Sequence, residues 1–533
     1  MTIQTDQPQW VSQTLQQGFT ALMKGDFQTA GECCRKVLSA NPKLVQGHFL
    51  VGLIATELKD NRTAIGAFGS VTKLEPSHAA AWAQLARLFI SLGQVNRADK
   101  ALDEAVRHND NDPIVEDLVG TVYQLLGDQH SSLDWYTRAL SKSPENIQYL
   151  INHANALVYL GRTEDATADL EQALKLQPFN PQAHWILAST RKAKTTSHID
   201  AMQKIADSPQ LQHAGSAFIH YAIGKEYEDL ENWQQAFTAF ANGAAARRQA
   251  LKYDESLEIA MFSELERLFT VAWLDDDTDQ NQGLEDDSPI FVLGQPRTGT
   301  TLIERIITSH SQVQSAGELQ QFGLAVRRLG NYQEAQRFSP KLFTQAVGIS
   351  MPELGEAYMR SSEKMRGRLP RFVDKLPSNY LYLPLILKAL PNAKIIHLTR
   401  NPMDACFASF KQLFADAYPH SYDQVEMARH HARYLQLMQT WRQRFPGRFL
   451  DVSYEETTLD LETNARRIIQ HLQLPWEDAC LHFHQQQGAV ATASAVQVRE
   501  PVHTRSINRW KKYERQLQPM LNALLVAGVD LPA

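Results

Sequence analysis

Two rhythms of apolar and polar positions divide the chain. Over 25–178 the rhythm is a repeat. Pro42, Pro76, Pro144 and Pro178, with Asp110 in the missing slot, set a period of 34 residues. Gly25, Lys59, Gly93, Gly127 and Gly161 keep the same step. So do Ala30, Ala64, Ala98, Ser132 and Ala166, and a fourth series of Val37, Val71, Ala105, Ala139 and Ala173. Small residues in such slots let two helices approach closely. The glycine slot suits a left-handed residue closing the first helix of a pair. Proline opens the next unit, where its missing N–H costs little. About five units fit into 10–190. A looser copy follows at 221–248 with Asn232 in the turn position, and 190–209 reads as a break between them.

The second rhythm begins at residue 290. IFVLG (290–294), FVDK (372–375), AKIIHLTR (393–400) and RFLDVSY (448–454) are strand candidates. Helical stretches at 301–310, 377–390 and 421–445 lie between them. This alternation predicts a parallel sheet covered by helices. The candidate strands end on Gly-Gln-Pro-Arg, Asp-Lys, Thr-Arg-Asn and Ser-Tyr-Glu. Ligands of such sheets bind at the carboxyl ends of strands, so these polar residues are expected to share one pocket. Between the two rhythms, DDDTDQNQGLEDDSP (275–289) reads as an acidic linker whose carboxylates are solvated.

A period of 34 with Gly, Ala and Pro in those slots resembles the tetratricopeptide repeat, an antiparallel helix pair. The expected division is therefore repeats over 10–190, degenerate helical repeat and connecting helices over 191–274, linker over 275–288, and an α/β domain over 289–533. Stacked repeats offer a concave surface for docking a protein or peptide, or a scaffold for self-association.

Composition narrows the function. The 533 residues are too many for one ordinary domain. A net charge of −6 argues against general nucleic-acid binding and leaves room for a local basic pocket. MTIQTDQPQW has neither the basic nor the apolar region of a signal peptide, and no apolar run approaches the roughly 20 residues of a membrane span. Cys33, Cys34, Cys406 and Cys480 do not form a disulfide or metal pattern, which fits a reducing, cytoplasmic setting.

Chemistry concentrates in two motifs. In GQPRTGTT (294–301), glycines let backbone N–H groups approach a phosphate, and the helix starting near Thr300 adds its positive end. Arg297 supplies charge, and Thr300 and Thr301 supply hydroxyls. The loop lacks the Gly-Lys-Ser/Thr ending of a nucleoside-triphosphate loop, which disfavours a kinase or ATPase. In HLTRNPMDACFAS (397–409), Arg400 stands at a strand end and Ser409 lies about two helical turns on. That pair suits a second phosphate; an ordinary salt bridge from Arg400 to Asp404 is the alternative.

Together the two motifs resemble the sulfotransferase family over most of 289–515, and within it the tyrosylprotein sulfotransferases. The resemblance implies an α/β, P-loop-like domain using 3′-phosphoadenosine 5′-phosphosulfate (PAPS) as co-substrate. It places Arg297, Thr298, Gly299, Thr300 and Thr301 on the 5′-phosphosulfate, and Arg400 and Ser409 on the 3′-phosphate. The family spacing from Arg to Ser is one shorter, and Ala408 fills that place. AGEL carries Glu318 where the family has its catalytic base. VDKLPSNY carries Lys375 where a lysine steadies the sulfonate. DVSYE carries Tyr454, similar to a nucleotide-contacting tyrosine. TASAVQVREPVHTRSINRW (492–510) resembles a closing loop, with Ser494 facing the sulfonate and Arg509 reaching the 3′-phosphate. Glu500 stands where the family often has Lys, so phosphate contact is not expected there.

By this resemblance Glu318 takes the acceptor's proton, a task that burial of the carboxylate would favour. Lys375, Arg297, the loop N–H groups and Ser494 stabilise the departing charge. No metal is expected: HFH (482–484) offers two histidines without a third ligand. The acceptor implied is tyrosine of a protein or peptide, with RLPRF (368–372), RRLG (327–330) and KKYER (511–515) as a candidate basic rim. A carbohydrate or small-molecule acceptor is one alternative. A non-catalytic repeat adaptor with a nucleotide-binding domain is the other.

Overall fold

The computed structural model describes residues 8–209, 211, 213–276, 282–334, 336–414, 417–486, 488–492 and 495–531. The chain divides into two compact units, Met1–Asn152 and His153–Ala533. In the first, helices from Gln9–Met23 to Gln129–Lys142 pair in order and stack in series. The period of 34 is a packing rule. Ala30, Ala64, Ala98 and Ser132 are 0% exposed, as are Val37, Val71, Ala105 and Ala139. Gly25, Lys59, Gly93 and Gly127 all have positive φ and close the first helix of each pair. The next residue caps the second helix in three of these turns: Asp26, Asp60 and Asp128 accept from the backbone N–H groups of Thr29, Thr63 and Ser131. A Cβ on Gly52 would stand 2.6 Å from the Phe68 ring, and one on Gly120 would stand 2.7 Å from Tyr136. The bare backbone there is the seat of an aromatic side chain.

The second unit continues the repeats and adds the α/β domain. Helix α1 (Ile147–Tyr159) ends at the left-handed Gly161 turn and is followed by α2 (Thr163–Leu176). The segment read as a break contains a helix, Ser197–Ala206. In the looser copy, formed by His213–Asp229 and Trp233–Gln249, Glu231 takes the left-handed turn and Asn232 is the following N-cap, one residue later than the slot expected of it. The described part of the acidic segment is laid against the domain. Leu284 N–H donates to Ala389 O at 2.9 Å, and Arg371 pairs with Asp287 at 2.8 Å.

Five parallel strands form the sheet: β1 (Pro289–Gly294), β2 (Val313–Ser315), β3 (Arg371–Lys375), β4 (Lys394–Thr399) and β5 (Leu450–Ser453). Their order is β2-β3-β1-β4-β5. Four match the sequence candidates; β2, three residues long, is too short to announce itself. Both faces of β1 are buried, which is why it reads as a continuous apolar run. Phe291 and Leu293 join a core with Phe322, Tyr358 and Trp441, while Ile290 and Val292 join another with Ile303, Ile306 and Ile468. Helix α3 (Thr300–Thr308) follows β1 and α4 (Pro402–Phe410) follows β4. Val292 lies opposite Lys375, and Thr399 opposite Ser453, so the carboxyl ends of the strands open on one side. Among the described residues no helix is long and apolar enough to cross a membrane.

Candidate active site

The turn after β1 is held by its backbone. Arg297 and Gly299 have φ values of 66° and 98°. Thr298 is buried and its hydroxyl donates to Gln295 O at 2.7 Å. Gly299 is the N-cap of α3, and a Cβ there would meet Tyr454 at 2.6 Å. Glycine is thus needed both for φ and for the approach of the Tyr454 ring. The first N–H groups of α3 have no partner within the helix, and Thr300 and Thr301 start it. Arg297 is pulled down to about 10 by burial and by the neighbouring Arg400. Its Nη2 donates to Gln497 at 3.0 Å.

Arg400 is fixed by three contacts. Nη1 donates to Arg297 O at 2.6 Å, Nη2 to Ser506 O at 2.7 Å, and the guanidinium lies 4.5 Å from the Tyr454 ring centre. Its buried Nε has no partner among the described residues. Asp404 is not its salt-bridge partner. The Asp404 carboxylate accepts from the backbone N–H groups of Asn508 and Trp510 at 2.6 and 3.0 Å, and so holds the segment that carries Arg509. Ser409 departs from expectation. It is 0% exposed and donates to Pro296 O at 3.3 Å, under the loop. Ala408 lines the cavity instead. One helical residue rotates a side chain by about 100°, so the shifted serine supports the loop and is withdrawn from the phosphate-contacting set.

Glu318 lies between β2 and β3, and Lys375 is the last residue of β3. The ammonium donates directly to the Glu318 carboxylate. Lys375 is 1% exposed while the Glu318 side chain is 40% exposed. The carboxylate, whose task burial would favour, is therefore on the open side, and the lysine is the buried partner. Behind Lys375, at 3.9 Å, lies Glu304 of α3. Burial pushes the Glu304 carboxyl up, against the opposing effect of Lys375 and of the Ser315 hydroxyl, which donates to it at 2.6 Å. No sequence motif pointed to Glu304.

Arg297, Gly299, Thr300, Thr301, Glu318, Lys375, Arg400, Tyr454 and Arg509 line one cavity of about 440 Å³. Thr298 stays behind the loop, and Ser494 lies outside the described residues. Sequence reasoning missed four contributors, Lys411, Glu228, Tyr159 and Tyr418. Lys411, one residue beyond α4, lines the cavity and pairs with half-buried Glu228 at 2.7 Å. Glu228 comes from the helix His213–Asp229 and also faces Arg509 at 3.5 Å. Burial raises its carboxyl, but Lys411 and Arg509 outweigh that and leave it below the usual range. Tyr159, the last residue of α1, and Tyr418 also line the cavity, and the charge of Glu318 reaches both phenols. Glu500 lines it too, and its carboxylate is held by Arg505.

Glu258, His420 and His430 form a separate cluster. Their arrangement is that of a hydrogen-bond network. The two imidazoles stack 3.5 Å apart at 12°, and both face the Glu258 carboxylate, His430 Nδ1 at 2.9 Å from Oε1 and His420 Nδ1 at 3.4 Å from Oε2. Arg433 occupies the same Glu258 oxygen at 2.6 Å.

Residues 289–478 match the model of the sulfotransferase family, and 55–121 and 151–190 match tetratricopeptide-repeat models. An uncharacterized protein of Aquifex aeolicus is 27% identical over 448 residues, 83% of this chain and 58% of that protein, so the chain spans just over half of that relative's length. A putative protein-tyrosine sulfotransferase of Caenorhabditis briggsae is 27% identical over 45% of this chain and 89% of its own length. A protein-tyrosine sulfotransferase of Drosophila melanogaster is 25% identical over 45% of this chain and 50% of its own.

Proposed function

The chain carries tetratricopeptide repeats followed by a sulfotransferase-family domain, and we propose that this domain moves a sulfonate group from PAPS to the hydroxyl of a tyrosine in a protein or peptide. The observation that carries the reading is the Glu318–Lys375 pair at the rim of β3, set in one cavity between the β1 loop and the cations Arg400, Lys411 and Arg509. The relatives named as protein-tyrosine sulfotransferases support the tyrosine acceptor. The repeats support docking of a protein acceptor or self-association. A reducing, cytoplasmic setting belongs to the same proposal; all four cysteines are free and buried. So does the division into repeats over 10–190, helices to 274 and a domain from 289.

The residues present fit the co-substrate. Arg400 keeps a buried Nε without a partner among the described residues, and both Arg297 and Arg400 face the cavity. Arg297 lies close enough to Arg400 for that cation to oppose its charge, a cost that an anion between them would offset. PAPS supplies the sulfonate and a phosphate leaving group. Arg297, Thr300, Thr301 and the first N–H groups of α3 hold its 5′ side. Arg400, Lys411 and Arg509 hold the 3′-phosphate, and Tyr454 flanks the nucleotide. Ser494, outside the described residues, is assigned to the sulfonate side on the family resemblance alone. An acceptor hydroxyl inserts between Glu318 and Lys375. Glu318 takes its proton as the acceptor oxygen bonds to sulfur and the bond from sulfur to the phosphate oxygen breaks. Lys375 compensates the charge on that oxygen. The products are a sulfate ester, 3′-phosphoadenosine 5′-phosphate (PAP) and a proton on Glu318.

Thermal unfolding with PAP, with ATP and with neither tests this. PAP at 100 times its dissociation constant adds about 2.7 kcal/mol to the unit that binds it. Arg400→Ala removes charge-assisted contacts and lowers PAP affinity by about tenfold or more. A shift with ATP alone would sink the reading, and no shift with either favours the adaptor.

A further inference from the structure

The repeats reach into the cavity. The Tyr159 carbonyl accepts from the backbone N–H of Val490 and from Arg499 Nη2, each at 2.9 Å. Val158 and Tyr159 pack on Val490, Ala495 and Val498, the segment flanking the cavity. The Gly161 turn fits closely around the same arginine: a Cβ there would stand 2.6 Å from the Arg499 guanidinium. These contacts fix the end of α1, and with it the Tyr159 side chain, beside Glu318 on the cavity wall. The Tyr159 hydroxyl has no hydrogen-bond partner among the described residues. Burial, and after it the charge of Glu318, raises its phenol above the ordinary value, so it stays protonated and able to donate. Arg297, Arg400, Lys411 and Arg509, assigned to the donor, lie with the β1 loop, α4 and the 506–510 segment. Tyr159 lies instead with Glu318, on the side the acceptor must use.

We propose that the α1–α2 turn of the repeats is a wall of the acceptor pocket and that Tyr159 is its specificity-determining residue, its ring covering the acceptor and its hydroxyl donating to it. The inference rests on the sulfotransferase reading. It makes the repeat region part of the active site, in addition to any docking role elsewhere on its surface.

The test uses the full chain as wild type, Tyr159→Phe and Tyr159→Ala. The acceptor probe is a peptide with one tyrosine flanked by aspartates. Calorimetry with PAP is expected to give dissociation constants within about twofold for all three, since Tyr159 is not a donor contact. With PAPS and the peptide, Tyr159→Phe is expected to raise KM about three- to tenfold, the worth of one hydrogen bond. Tyr159→Ala raises it further, by at least about tenfold, because the covering ring is lost as well. If the wild type binds PAP but does not use the peptide, the readout is breakdown of PAPS by water. There the water oxygen bonds to sulfur, the sulfur–oxygen bond to phosphate breaks, and sulfate, PAP and a proton are released. Tyr159→Ala is expected to speed that step by about threefold or more, because the ring no longer excludes water. Unchanged KM, or unchanged breakdown where the peptide is not used, overturns the inference alone. A loss of PAP affinity as large as the rise in KM overturns it too, as general loosening. Failure of the wild type to bind PAP overturns the sulfotransferase reading, and the inference with it.

Discussion

The first four helix pairs and the strand-end cavity are built by opposite rules. In the pairs, one solution recurs every 34 residues: a left-handed turn, a fully buried alanine or serine, a buried valine or alanine. Each position repeats what its equivalents do, and the result is packing. In the cavity no position repeats another. Like charges stand close together, as Arg297 does near Arg400, and Lys375 is 1% exposed between two carboxylates. Such an arrangement costs stability and is kept where ligand binding returns it. The difference teaches where the chain gains stability and where it spends it.

The comparison breaks first on chemistry. Glu318→Ala is expected to lower turnover of PAPS with acceptor by about 10²–10⁴-fold, the worth of a positioned base. Its melting temperature should stay near that of the wild type, because the side chain is 40% exposed. A normal rate in a steady-state assay would remove Glu318 from the mechanism. On the repeat side, Ala98→Leu forces extra methylene groups into a helix contact that is 0% exposed. It should cost about 1–3 kcal/mol in a urea titration; an unmoved midpoint would mean that the slot is not a close contact.

A third test uses Asp374, buried beneath the cavity. Burial pushes its carboxyl up to about 8 from an ordinary 3.8, although Tyr358 donates to it at 2.9 Å. The folded chain then keeps a proton that the unfolded chain releases above about pH 4. Its stabilising effect is full below that pH and is lost as pH rises through about 8. Between these limits the wild type should lose up to about 1.4 kcal/mol per pH unit relative to Asp374→Asn. Parallel stability curves for the two proteins would refute the buried proton. The smallest effect is Lys59→Gly. Lys59 is the one non-glycine in its turn series, at φ 58°. Relief of left-handed strain, offset by a more flexible unfolded chain, should yield less than about 1 kcal/mol. A clear loss in thermal unfolding would show that the lysine side chain contributes.

Much of the molecule was legible because its signals are local. A turn slot, a small residue at a helix crossing and an apolar strand ending in a charged residue are each set by neighbours in the chain. Four strands and the cavity positions of Arg297, Lys375, Arg400 and Tyr454 followed from that, whereas Arg509 followed from the family resemblance. Ser409 failed because a hydroxyl's direction depends on one residue of helical phase, and the loop carbonyl of Pro296, distant in sequence, claimed it. The exposure of Glu318 was not legible in the sequence, since it is settled by what packs above a loop.

The sequence by itself determined the repeat, its turns, the parallel sheet and the two phosphate-type motifs, because periodicity and short-range backbone geometry are written residue by residue. Only the tertiary structure decided that Tyr159 lines the cavity beside Glu318, and that Glu228, from another helix earlier in the chain, pairs with the lining residues Lys411 and Arg509. No local pattern marks them, because a lone tyrosine or glutamate on a repeat helix acquires its role from what the fold brings next to it.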